Sequence, residues 1–232
     1  MEIASVIAQA KADRRPALDE LAGKNLLAGF GVSVPRSVIA KDANSAAAAV
    51  AGLKPPLALK IMSPDILHKS DAGGVKIGLK SGAEVAQAIE TMAALPAIKS
   101  ARVEGFLVEE MAPAGQEIVV GAVRDPDFGP MVMVGLGGIF VEVLADVAFR
   151  ICPITKLDAE EMLDELKGAA ILKGARGRKA VSREAIVDVL LKVGGENGLL
   201  LKHADDFKEA DINPLIVSET AAVAVDARFV LA

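Results

Sequence analysis

Residues 63–75 read Ser63-Pro64-Asp65-Ile66-Leu67-His68-Lys69-Ser70-Asp71-Ala72-Gly73-Gly74-Val75, and the rest of the 232-residue chain is best read outward from them. The stretch holds one of only two histidines, two aspartates, a lysine and a closing pair of glycines. Pro64 and Gly73-Gly74 mark it as a loop. Backbone amides at paired glycines can approach an anion, and a neutral imidazole near pH 7 can accept a phosphoryl group as a nucleophile. The ordinary alternative is a polar turn with a solvated histidine. The other histidine, His203, sits in Lys202-His203-Ala204-Asp205-Asp206 and reads as a charged helix end.

Strand patterns bound the loop. Leu57-Ala58-Leu59-Lys60-Ile61-Met62 is a short apolar strand after Pro55-Pro56, and residues 75–79 alternate. A lysine within an apolar strand is costly unless paired. Lys60 is therefore an edge-strand residue or a phosphate contact, for which an ammonium is a compact point charge. Upstream, residues 3–10 form a short helix. Residues 18–30 form a second, with Pro16 near its start and Gly31 at its end. Residues 32–40 are extended and broken by Pro35, and 43–51 are an Ala-rich helix.

Downstream, Ser81 and Glu84 form a capping box that opens a helix to about residue 95. Strands over 103–111, 117–123 and 131–134 read as an antiparallel meander. Asp158 with Glu161, and then Ser182, open two later helices. Strands over 207–210, 215–217 and 222–225 follow, with Asp211-Ile212-Asn213-Pro214 as a turn. The order predicts an α/β (α+β) protein. An N-terminal α/β lobe spans 18–107 and a C-terminal lobe 108–232, with a cleft between them, a common place for a ligand.

Composition removes several classes. With 52% hydrophobic and 25% charged residues the chain is not disordered. A net charge of −5 argues against a general hold on nucleic acid, and the lack of Trp and Tyr against base stacking. Cys152 is the single cysteine, so no internal disulfide forms, which fits a reducing compartment. The longest uncharged apolar stretch, 128–141, is shorter than a membrane span of roughly 20 residues. Glu2 is the only charge before the apolar run 3–10, the wrong sign for a signal peptide. The expectation is a cytoplasmic protein without membrane contact. GxxxxGK[ST], GxGxxG and HExxH are all absent, and Gly135-Leu136-Gly137-Gly138 is not a dinucleotide fingerprint. Nothing clusters Cys with His for zinc.

Three further groups carry chemistry. Asn213 and Asp226 offer hard oxygens that suit Mg²⁺, which takes one or two protein ligands and completes its shell with phosphate and water. Val108-Glu109-Glu110-Met111, with Glu117 beyond, places carboxylates at the lobe boundary. They could accept from ribose hydroxyls or the adenine amino group, or form a solvated strand end. Lys173, Arg176, Arg178 and Lys179 are a basic run, read as a solvated loop or a partner contact.

Taken in order, Leu59-Lys60, the His68 loop, Val-Glu-Glu-Met, Gly-Leu-Gly-Gly, Asp-Ile-Asn-Pro-Leu and Val-Asp-Ala resemble an ATP-grasp domain. More narrowly, the chain is similar to the β subunit of ADP-forming acetyl-CoA synthetase (acyl-CoA ligase, NDP-forming), a relative of the succinyl-CoA synthetase β subunit. The resemblance runs from about residue 18 to the end and is most specific over 63–75. It implies two lobes closing on ATP or ADP, with Lys60 at the phosphates. Glu109, Ala112 and Glu117 would line the adenosine, with Val108 and Glu110 in the same hinge. Asn213 and Asp226 would hold Mg²⁺, and Gly73, Gly74 and Arg150 would lie on the phosphate side. His68 matches the histidine that takes phosphate from a partner histidine and passes it to ADP.

Succinyl-CoA synthetases carry a glycine- and arginine-containing loop at this point, so His68-Lys69 points away from that branch. No CoA-binding segment and no second suitably placed histidine are seen, which implies a CoA-binding α-type subunit carrying that histidine. Without Trp or Tyr, adenine is expected between aliphatic and Met side chains such as Val108 and Met111. Two other readings are a nucleotide-sensing ATP-grasp module of a regulatory acyltransferase and a stand-alone carboxylate–amine ligase.

Overall fold

The computed structural model describes residues 3–66, 68–138, 145–174 and 179–232. Arg176 and Arg178 of the basic run lie outside the described residues, as does Leu67. Two compact units are present, Pro35–Ala112 and a larger one made of Met1–Val34 with Pro113–Ala232. The division thus falls after residue 112 rather than 107, and the first 34 residues belong to the larger unit. The cause is apolar: Leu18, Leu26, Leu27 and Val32 are buried in one cluster with Ile118, Val120 and Leu215.

The larger unit begins with helices α1 (Ile3–Ala12) and α2 (Glu20–Gly29). Asp19 caps α2 by accepting from the Ala22 amide at 2.9 Å, as short polar side chains do at helix starts. The smaller unit follows as one block: β1 (Ser37–Ala40), α3 (Ala43–Ala49), β2 (Leu57–Met62), β3 (Val75–Leu79), α4 (Gly82–Ala93), α5 (Pro96–Lys99) and β4 (Gly105–Glu110). Its antiparallel sheet has the order β1-β4-β2-β3. Side chains alternate across a strand. Leu57, Leu59 and Ile61 of β2 and Phe106 and Val108 of β4 therefore share one face, packed in a core with Val85, Ile89 and Met92 of α4. The other face carries Ala58, Lys60, Leu107 and Glu109, which are also buried. Placing β4 between β1 and β2 corrects the expected meander, because residues 103–111 pair in this sheet and not with the strands that follow.

The chain returns to the larger unit with β5 (Gln116–Asp125), β6 (Gly129–Leu136) and β7 (Val147–Ile151), which do form a meander. Helices α6 (Lys156–Glu165), α7 (Ala169–Leu172), α8 (Arg183–Gly194) and α9 (Leu199–Lys202) precede β8 (Phe207–Val217), β9 (Ala222–Ala224) and β10 (Arg228–Leu231). The sheet order is β10-β8-β5-β6-β7, with β9 paired to β8. Its inner face, including Ile118, Val120, Val132 and Val134, joins Met162 and Leu163 of α6 and Ile186 and Leu190 of α8 in one core. Thr155, rather than Asp158, caps α6, and Asp158 closes the box by accepting from the Thr155 amide at 2.7 Å.

One local irregularity positions the chemistry. Residues 211–214 are not a turn between two strands but lie inside the continuous 11-residue β8. Pro214 has no N–H to give to the ladder. On β5, Ile118 and Val120 are two apart, yet their partners Leu215 and Ile212 are three apart, so β8 carries an extra residue here. The backbone freed by this bulge turns to the segment after β9: the Asn213 amide donates to the Asp226 carbonyl at 3.2 Å, and the Val225 amide to the Pro214 carbonyl at 3.0 Å.

Candidate functional site

His68 is presented by a loop that closes on itself. The Gly74 amide donates to the Lys69 carbonyl at 2.7 Å, the Gly73 amide to Ser70 at 3.1 Å and the Ala72 amide to His68 at 3.3 Å. Gly74 in turn accepts from the Ile61 amide at 2.8 Å, which ties the loop to β2. Gly73 adopts a φ of 72°, a conformation that favours glycine. A Cβ on Gly74 would sit 2.5 Å from the Ile61 side chain. Both glycines thus serve the closure of the β2–β3 hairpin. Their N–H groups are engaged by carbonyls of the loop. The His68 side chain itself is exposed.

Lys60 and Glu109 prove to be partners. Lys60 stands opposite Leu107 in the β2–β4 register, and Glu109 lies two residues further along β4, so the two project from the same face as diagonal neighbours. The Lys60 ammonium is 2.9 Å from Glu109 Oε2, and the side chains are only 7% and 1% exposed. Neither an exposed edge-strand lysine nor a solvated strand end describes them. Charges that are this deeply buried require such a partner.

The third locus lies in the larger unit. Asp211 lies on β8 just before the bulge and Asn213 within it; the Asn213 side chain bonds Asp211, and Asn213 meets Asp226 through the backbone. Burial, reinforced by the nearby charges of Asp226 and Glu209, pushes the Asp211 carboxyl above its ordinary value, although Arg228 and the Asn213 side chain oppose this. Asp211 is the candidate that the motif reading passed over. Two carboxylates and an amide oxygen, one carboxylate resisting ionisation, form a donor set that suits a hard divalent cation. No group of three or more His, Cys, Asp or Glu side chains able to hold a metal is found among the described residues.

The remaining candidates divide clearly. Glu117 is exposed, and its carbonyl accepts from the Gly137 amide at 2.8 Å. Gly137 lies so close that a Cβ there would be 2.8 Å from that of Glu117, which accounts for the Gly-Leu-Gly-Gly stretch by packing. Ala112 is half-buried and Met111 exposed, in the link between β4 and β5. Val108 buries its side chain in the smaller unit's core, so that side chain is not available as an adenine wall. Glu110 is held structurally, accepting from the Lys54 amide at 2.9 Å and from Arg36 at 3.4 Å.

Arg150, expected at phosphate, is instead gripped by Glu165 through both guanidinium nitrogens and lies 3.7 Å from Glu161, both on α6. The Glu165 hydrogen bond raises its pKa, reinforcing the charged form. The Cys152 thiol is buried and pushed up to about 12, chiefly by desolvation, which makes it inert. His203 bonds Asp206 at 2.9 Å and packs edge-on to Phe30.

An exposed histidine on a glycine-closed hairpin, a buried lysine on the strand before it and an acidic corner on a second, antiparallel sheet define a protein equipped to handle phosphate and a divalent cation. A family model described as an ATP-grasp domain matches residues 9–231, and the chain belongs to that family. Over 228 residues it is 46% identical to the β subunit of acetate–CoA ligase (ADP-forming) I of Pyrococcus furiosus, covering 97% of this chain and 96% of that one. Over 215 residues it is 41% identical to acetate–CoA ligase (ADP-forming) I of Archaeoglobus fulgidus, covering 90% of this chain and 30% of that longer protein. The dinucleotide forming acetyl-coenzyme A synthetase 1 of Ca. Korarchaeum cryptofilum, solved with coenzyme A, Ca-AMPCP and HgCl+, matches with a TM-score of 0.92 at 38% identity, covering both chains completely. The same enzyme with coenzyme A and Mg-AMPPCP, its phosphohistidine segment pointing towards the nucleotide binding site, matches at 0.85 and 36%, again covering both chains. No helix among the described residues is long and apolar enough to cross a membrane.

Proposed function

We propose that this chain is the nucleotide-binding subunit of an ADP-forming acyl-CoA synthetase, catalysing with an α-type partner acyl-CoA + ADP + Pi ⇌ acid + ATP + CoA. The observation that carries this reading is the end-to-end similarity to a β subunit of an acetate–CoA ligase. The longer relative, of which this chain matches 30%, supports a separate partner for the remaining functions. That partner binds CoA and supplies the first phosphohistidine. The setting is the cytoplasm.

His68 is the relay. Its imidazole nitrogen carries the phosphoryl group and yields it to a β-phosphate oxygen of ADP; the N–P bond breaks as the O–P bond forms, leaving neutral imidazole. Phosphoryl transfer depends mostly on position and charge neutralisation. The closed loop presents the histidine without burying it. Lys60 brings positive charge towards the nucleotide phosphates from β2, with Glu109 holding its ammonium in place. Glu117 and Ala112 line the adenosine. Asn213 and Asp226, with Asp211 beside them, would hold Mg²⁺, which offsets phosphate charge when bound.

Labelling tests the relay. The chain, mixed with its α-type partner and ATP labelled at the γ-phosphate, is expected to take up acid-labile label, and His68→Ala to take up none. Label retained by His68→Ala would remove the relay role. Turnover by the purified single chain with an amine acceptor would overturn the synthetase reading altogether.

A further inference from the structure

One of the large, fully buried side chains among the described residues is charged: Lys24, on α2, is 1% exposed. Its ammonium donates to Glu20 Oε1 at 2.9 Å one helical turn earlier, and Glu20 is buried as well. Neither residue belongs to the sites described above, yet both lie behind one of them. The Lys24 ammonium is 3.5 Å from the Val225 carbonyl oxygen, a long contact with the residue just before Asp226. One residue earlier on α2, a Cβ on Gly23 would stand 2.9 Å from the Ala227 carbonyl oxygen and 3.1 Å from Phe229. The helix is therefore seated directly on residues 225–227. Its approach is fixed from both ends of the neighbouring strand, since the Leu18 amide donates to the Phe229 carbonyl at 2.9 Å and the Leu231 amide to Pro16 at 3.0 Å. From the opposite side, the bulge in β8 holds the same residues through Asn213 and Pro214.

We infer that Lys24, held by Glu20, is a positioning residue for the cation corner. It sets the Val225–Ala227 backbone from behind, so that the Asp226 carboxylate faces Asn213 at the separation a divalent cation needs. The inference rests on the reading that Asn213 and Asp226 hold Mg²⁺. Supporting groups behind a ligand typically change metal affinity by about 10–100-fold when removed. A buried, mutually paired lysine and glutamate suit that task, because the pair is rigid and contributes no net charge.

The test is Mn²⁺ binding to the full 232-residue chain in the presence of ADP, followed by paramagnetic resonance of free Mn²⁺. ADP affinity without metal and thermal unfolding serve as controls. The double variant Lys24→Met, Glu20→Gln removes both charges together and leaves neither partner stranded. It is expected to bind Mn²⁺ about tenfold more weakly while metal-free ADP affinity stays unchanged. Gly23→Ala presses on the same residues without touching the ion pair and is expected to weaken Mn²⁺ in the same sense; it decides the matter if the double variant does not fold. Wild-type Mn²⁺ affinity in these variants, alongside a loss in Asp226→Asn, overturns the positioning role alone. Wild-type affinity in Asp226→Asn overturns the metal-site reading on which it rests.

Discussion

Two regions of the molecule treat charge in opposite ways: the β2–β4 face of the smaller unit and the Asp211 corner of the larger one, which elsewhere also holds the buried Lys24–Glu20 pair. In Pro35–Ala112, opposite charges meet: the Lys60 ammonium lies 2.9 Å from Glu109 Oε2 on one face of a sheet. In the larger unit, like charges meet: Asp211 lies near Asp226 and Glu209, and its carboxyl resists ionisation. The first arrangement pairs opposite charges within the chain itself. The second gathers carboxylates, and the proposed Mg²⁺ would offset their charge.

The contrast can be broken at its strongest point first. Lys60→Ala would leave Glu109 buried without its cation and is expected to cost about 3–5 kcal/mol in urea unfolding. The double variant Lys60→Met, Glu109→Gln should recover most of that loss, since neutral replacement of a buried pair is often tolerated. A single variant as stable as wild type would show that the pair is not self-contained. Next in size, Mg²⁺ with ADP should stabilise the wild-type chain by about 2.7 kcal/mol at a hundredfold excess over Kd. Asp226→Asn should lose most of that gain in thermal unfolding.

The smallest effect sharpens the comparison. The folded state holds the Asp211 proton more tightly than the unfolded chain does, so ionisation of Asp211 lowers stability as pH rises through the carboxylate range. Metal-free Asp211→Asn should therefore show a slightly higher Tm than wild type at neutral pH. That advantage should vanish on acidification below the unfolded Asp value of about 3.9. A lower Tm at neutral pH would mean that the corner is already compensated without a cation.

Much of this was legible in the chain, for identifiable reasons. The β2 and β3 boundaries follow from a short apolar run and a period-two alternation with proline and glycine at their ends. The start of α8 follows from Ser182, which accepts from the Ala185 amide at 3.1 Å. The element type of residues 211–214 was misread because Asn-Pro is a turn signal locally, whereas pairing on both sides of β8 carries the strand through it as a bulge. Residues 103–111 were given to the wrong sheet because sequence shows that a strand exists but not which edge accepts it. Nothing local in the sequence pairs Arg150 with Glu165, fifteen positions away, which it bonds in the fold.

By itself, the sequence determined the kinds of chemistry available. It supplied one histidine in a glycine-closed loop, one lysine in an apolar strand, and hard oxygen ligands near the C-terminus, because residue type and local periodicity are properties of short stretches. Only the tertiary structure decided which of these groups face one another. Lys60 and Glu109 are 49 positions apart, and Asn213 and Asp226 are 13 apart; strand register and a proline-driven bulge bring each pair together. Register is set by which face of a strand must be buried against the core, and that choice depends on the whole sheet.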